Sequence, residues 1–220
     1  QFKNYDKFLT SGVVDIISEN GNLFVLGAKG ELLKYSYEQD TFKQILALKN
    51  VKFLSFKILN STTIIIGLQK GLLVYDLESK SLSKVLHYNA MFNRRIHLKE
   101  NKIYVATTKG IIVYDYVQNP TRLVKRKTLL KTIEVLDFDF DNQNRIWVGT
   151  YQKGLFVIDN ENVQKIKLYD ERIKTYTIRA LKFDKNNKVL ISLEGSGLII
   201  MDKGFKVLNK LEYDPNSLNS

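Results

Sequence analysis

Residues 144–159, "NRIWVGTYQKGLFVID", form an apolar run, a polar turn ending on Gly154, and a second apolar run. Weaker copies recur along the chain: "NLFVLGAKGELLKYS" (22–36), "TTIIIGLQKGLLVYD" (62–76), "NKIYVATTKGIIVYD" (101–115) and "NKVLISLEGSGLIIMD" (187–202). Aligning the glycine after each turn gives Gly30, Gly71, Gly110, Gly154 and Gly197, spaced by 41, 39, 44 and 43 residues. A period near this value belongs to four-stranded β-propeller blades or to repeats of paired helices.

Residue types decide between the two. Each unit is built from short runs of Val, Ile, Leu, Phe and Tyr, broken by Gly, Asn, Asp or Lys, which is strand and hairpin punctuation. In the fourth unit the spacing predicts strands over 133–140, 146–150, 155–159 and 163–169, with "DNQN" (141–144) and "YQKG" (151–154) as turns. The second and third strands of each unit, such as "TIIIGL" and "GLLVY", are continuously apolar, as in a sheet covered on both faces. The fourth strands, such as "TFKQILAL" and "TRLVKRKTLL", carry scattered Lys and Arg, which on an exposed edge discourage pairing with another chain.

The expected fold is therefore all-β: a propeller segment of about five four-stranded blades, at 13–48, 51–87, 94–129, 133–169 and 176–214. Residues 1–12 read as the outer strand of a preceding or closing blade, and 215–220 as the start of a next one. On that pattern the chain is a segment of a larger propeller array.

Composition bounds the function. A chain of 220 residues with 44% apolar residues can bury a large core. The formal charge of +11 attracts polyanions such as nucleic acid, acidic lipid or acidic polysaccharide. The lack of cysteine excludes disulfides, thiolate zinc sites and cysteine nucleophiles. No apolar run reaches the length of a membrane span, so a membrane enters only through segments outside this sequence.

Asp141, Asn144, Ile146, Trp147, Val148, Gly149, Thr150, Gly154, Leu155 and Asp159 together resemble the two-component regulator propeller repeat. At the aromatic position the other units carry Phe24, Ile65, Tyr104 and Leu190. The resemblance implies the periplasmic sensor region of a hybrid two-component histidine kinase. Such regions detect oligosaccharides and signal to a kinase, which would lie outside these residues.

Candidate ligand contacts cluster by pattern. Lys29, Lys70, Lys109 and Lys153 each directly precede the aligned glycine. Propeller connectivity puts these turns at the same end as the links between blades, which carry Arg94, Arg95 and Arg172. A basic rim of this kind suits uronic or sulfated sugars, because Lys and Arg make charge-assisted hydrogen bonds to carboxylate and sulfate. The plain alternative is that each lysine is a solvated turn residue. Tyr151, inserted in its turn, is an expected exposed aromatic, as are Tyr88 and Phe92, whereas Trp147 belongs to the core.

Asp137, Asp139 and Asp141 are expected on one side of a strand, with Asp139 paired to Lys182 of the next blade, rather than in a calcium loop. His87 and His97 are unclustered and lack a positioned acid or nucleophile. The sequence thus implies no catalytic residues, no metal and no cofactor. The aromatics fall at core positions rather than along a basic stripe, which argues against nucleic acid. The expected partners are an oligosaccharide or polysaccharide fragment and a neighbouring propeller or second protomer. The alternatives are a protein-assembly scaffold and, behind it, a propeller lyase.

Overall fold

The computed structural model describes residues 9, 11–19, 21–87, 92–117, 122–168 and 177–211. Among these, twenty strands form five four-stranded antiparallel sheets, each a blade whose strands follow chain order. The first blade holds β1 (Val13–Glu19), β2 (Asn22–Gly27), β3 (Glu31–Ser36) and β4 (Thr41–Ala47). The second holds β5 (Phe53–Ile58), β6 (Thr63–Leu68), β7 (Gly71–Asp76) and β8 (Leu82–His87). The third holds β9 (Asn93–Lys99), β10 (Lys102–Thr107), β11 (Gly110–Val117) and β12 (Arg122–Leu129). The fourth holds β13 (Val135–Phe140), β14 (Ile146–Thr150), β15 (Gly154–Asp159) and β16 (Asn162–Ile166). The fifth holds β17 (Ile178–Phe183), β18 (Val189–Leu193), β19 (Gly197–Met201) and β20 (Val207–Leu211).

The fold is the expected propeller segment of five blades. The chain divides into two compact units, one of residues 1–105 with 112–127, the other of 106–111 with 128–220. In the fourth blade, the first strand starts two residues later than the sequence pattern suggests. Ile133 closes a turn by donating its amide to the Leu130 carbonyl at 3.1 Å, so strand geometry begins only after it.

The repeat is visible in strand irregularities as well as in sequence. The first strand slips register against the second at Val13/Asp15, Phe53/Ser55, Val135/Asp137 and Ile178/Ala180. An extra residue at this point bends the strand and raises its twist, so these blades share one curvature. Gly110, at φ 99°, could not be replaced by a residue with a Cβ, which would run into the Leu129 carbonyl oxygen. Gly110, which opens β11, therefore lets the turn between β10 and β11 lie close against the chain leaving β12.

Burial follows strand position. The middle strands are almost wholly buried, as in β6 and β14, and β6 has a blade packed on each face. The charged outer strands, β12, β16 and β20, are mostly exposed. In the first unit, Phe24 and Leu26 pack against Phe53, Phe56 and Ile64 of the next blade. In the second unit, Trp147, Leu155 and Val157 pack against Ile178, Leu181 and Ile191.

Polar groups complete the joint between the fourth and fifth blades. The free edge of β17 presents the Leu181 and Phe183 amides, and the Asp137 and Asp139 carboxylates accept them at 3.1 and 3.3 Å. Asp139 also takes the expected ion pair with Lys182, at 2.7 Å. Two carboxylates spaced two residues apart on one strand thus match two amides spaced two apart on its neighbour. Asp141 does not continue the row. It sits in the following turn, where its Oδ1 accepts the Gln143 and Arg145 amides at 2.9 Å and its Oδ2 accepts the Trp147 indole N–H at 3.0 Å.

Replacing Asp137 with Ala leaves the buried Leu181 amide without its acceptor, at an expected cost of about 1–3 kcal/mol. Urea denaturation should show that loss, and amide exchange at Leu181 should quicken selectively; an unchanged midpoint would contradict the joint described.

Candidate functional site

Turns between second and third strands are each held by a polar residue at or just before the start of a first strand. In the first blade, the Ser11 hydroxyl accepts the Lys29 amide at 3.1 Å and donates to Glu31 at 2.5 Å. Asn93 donates its side-chain amide to the Leu68 and Gly71 carbonyls, at 2.5 and 2.6 Å, and so clasps the turn of the preceding blade. The Thr177 hydroxyl accepts the Gln152 amide at 3.2 Å in the same way. Thr107 and Thr150 close their own turns by donating to Gly110 and Gly154 at 2.8 and 2.6 Å. Short polar side chains therefore fix the backbone.

On these turns Lys29, Lys70, Lys109 and Lys153 are all exposed. Asn93 sets the adjacent, exposed Arg94 near the turn that carries Lys70. Arg95 turns elsewhere and pairs with Asp15 at 3.7 Å. Burial pushes the Asp15 carboxyl up, against the opposing pull of Arg95. Tyr151 is 41% exposed, and its hydroxyl accepts the Gln152 side-chain amide at 3.2 Å. Arg172 and Tyr88 lie outside the described residues. Phe92 is half-buried, and His97 lies in β9 as a partly buried residue.

The opposite ends of the strands, which carry none of the sequence-predicted ligand contacts, differ sharply between two of the joints. Between the fourth and fifth blades this end is plugged. Trp147 is fully buried, with Phe183 edge-on at 5.5 Å and Phe205 at 5.2 Å. Phe205 holds a left-handed backbone, φ 70°, to reach that position, at the tip of a turn in which Asp202 accepts the Gly204 and Lys206 amides. Arg145 lies over both rings, at 5.8 and 5.6 Å, and donates to Asp141 at 2.7 Å and to the Lys203 carbonyl at 3.0 Å.

Between the first and second blades the corresponding place is open. A cleft of about 230 Å³ is lined by Glu19, Phe24, Lys34, Ile58, Ser61 and Leu77, among others. Phe24 is the counterpart of Trp147, since each faces the strand-pair partner of the equivalent first-strand position, Ile17 and Asp139. Ile58 replaces Phe183, and Leu77, in the turn between β7 and β8, contributes in place of Phe205. Smaller side chains leave the gap.

No family model matches the chain. Solved structures do match it in fold. The extracellular domain of a candidate hybrid two-component system from B. thetaiotaomicron superposes with a TM-score of 0.70 at 18% identity, covering 94% of this chain and 28% of that one. PorZ, an essential surface component of the type-IX secretion system of Porphyromonas gingivalis, gives 0.67 at 13% identity, covering 91% of this chain and 39% of its own. A BTB/POZ domain-containing protein assignment in Acanthamoeba polyphaga mimivirus belongs to a sequence 28% identical over 178 residues, covering 76% of this chain and 34% of that one. The chain thus spans only about a third of the length of these proteins. The likeness to the solved structures is one of fold, and it includes the class of extracellular domain that the repeat resembles.

The Asp141 turn gives a pH signature. Burial pushes the Asp141 carboxyl up, but hydrogen bonds from Trp147, from the Arg145 side chain and from the Arg145 and Gln143 amides together outweigh it and hold the group below its ordinary value. A depressed carboxyl stabilises the fold above the unfolded-chain value of about 4, and that contribution fades as pH falls through the folded value. Asp141→Asn should therefore be less stable than wild type at pH 7, with the gap closing below about pH 4. Trp147 is the sole tryptophan, so its fluorescence in urea reads the result directly. A gap that stays constant with pH would remove the carboxylate from this role.

Proposed function

We propose that this propeller segment is a non-catalytic, extracytoplasmic sensing module, placed in the periplasm as part of a hybrid two-component protein. It binds an oligosaccharide, with anionic sugars favoured, and passes the signal to a kinase outside these residues. The observation that carries this reading is the fold match, over nearly the whole chain, to the extracellular domain of a candidate hybrid two-component system.

The turns, each by itself, suit a polar, anionic ligand. Their backbone is pinned by Ser11, Asn93 and Thr177, so the lysines project from fixed stems. Preorganised stems reduce the ordering cost of binding. Lys ammonium groups provide charge-assisted bonds to carboxylate or sulfate. Signalling then requires that the ligand bind two arrangements of the parent protein with different affinity.

A second reading, a scaffold for protein assembly with a neighbouring propeller or second protomer as partner, is favoured by the fold match to PorZ. An oligosaccharide panel read by calorimetry separates the two. The sensor reading expects binding to uronate-containing or sulfated oligosaccharides, weakened about tenfold or more when Lys109 and Lys153 are both changed to Ala. Silence toward every glycan, with retained self-association or protein capture, would favour the scaffold.

A further inference from the structure

We propose that the open cleft between the first two blades is a binding site for a single anionic pyranose, a hexuronate in chemical class. This rests on the sensor reading and gives it a site on the opposite strand ends from the lysine-bearing turns.

The decisive feature is Lys34. In the pairing of second and third strands, the residue across from the Trp147 position is Val74 in the second blade, Val157 in the fourth and Ile200 in the fifth. In the first blade it is Lys34, across from Phe24. An ammonium stands where the second and fourth blades place a valine against their neighbour. Its Nζ lies 5.6 Å from the Phe24 ring centre. Packing alone does not call for a charge here.

Lys34 also pairs directly across the strands with Lys43 of β4. Like charges in that arrangement repel. Neither lysine has a carboxylate partner among the described residues. The nearest acid of the cleft, Glu19, is already held by Lys57 at 3.2 Å. The local balance is positive, and an anion seated at Lys34 relieves the repulsion.

The remaining walls suit a sugar ring rather than a simple ion. Ile58 and Leu77 supply an apolar side, while Glu19 and the exposed Ser61 supply an acceptor and a hydroxyl at the rim. Asn60 is spent differently: its Oδ1 accepts the Thr62 and Thr63 amides at 3.0 and 2.8 Å, fixing the turn that forms the far wall. The volume, about 230 Å³, lies below the roughly 300–1,000 Å³ of pockets for drug-sized ligands. One ring fits this scale. The plugged end between the fourth and fifth blades shows what the same geometry becomes when aromatic side chains fill it.

The test is titration of the full chain with sodium glucuronate and with neutral methyl glucoside, read by calorimetry and by NMR shifts. Glucuronate should bind with a Kd of about 1 mM, the scale expected for a ligand of its size, and methyl glucoside at least tenfold more weakly. Lys34→Val, which installs the residue found at this position in two other blades, should reduce glucuronate binding tenfold or more; Lys34→Gln should do the same if the valine variant folds poorly. No glucuronate binding, equal binding of the neutral sugar, or unchanged binding in the Lys34 variants would each overturn the proposal. If longer oligosaccharides still bind while glucuronate does not, the sensor reading stands and this site falls; glucuronate binding through Lys34 without any oligosaccharide binding does the reverse.

Discussion

Everything in this chain depends on a blade being unable to satisfy itself. Its middle strands are apolar on both faces, and its first strand offers an unpaired edge. Both deficits are met by an adjacent blade: Trp147, Leu155 and Val157 meet the apolar face of the fifth blade, and Asp137 and Asp139 of the fourth take up the Leu181 and Phe183 amides of the fifth. Leaving such amides bare in a dry interface would cost more than most single contacts contribute. The joint is thus both hydrophobic and strictly registered, because two carboxylates must meet two amides at the same spacing.

The same requirement divides the strand ends by role. At the turns between second and third strands, short polar side chains pin the backbone, and Lys29, Lys70, Lys109 and Lys153 are exposed. At the other ends the gap between blades must be filled by whatever the sequence supplies. Trp147, Phe183, Phe205 and Arg145 fill it in one place, with Asp141 anchoring the indole. Phe24, Ile58 and Leu77 fall short in another, and the shortfall is a cleft beside a lysine. A left-handed Phe205 is tolerated because its ring is part of the plug.

Reading the sequence located the blades well because a hairpin is a local object. The Gly154 turn, the span of β14 and the burial of Trp147 all follow from neighbouring residues and their alternation. The Asp139–Lys182 pair was also legible, since equivalent positions in successive blades must face each other. Asp141 was not, because whether a carboxylate continues a strand or folds back to cap an indole depends on the turn that follows. The strand ends between blades are not legible for a related reason: Lys34 looks like an ordinary strand lysine until its partner across the sheet is known to be Phe24.

The sequence by itself determined the repeat, the number of blades, the strand punctuation and the lysine before each aligned glycine. These are properties of residues close together in the chain, where hydrogen-bonding pattern and side-chain alternation act directly. Only the tertiary structure decided which carboxylate meets which amide, which interblade gap is sealed and which stays open, and which lysine lines an interblade cleft. Those outcomes depend on side-chain volumes contributed by strands some forty residues apart, and volume is compared only when the blades are in contact.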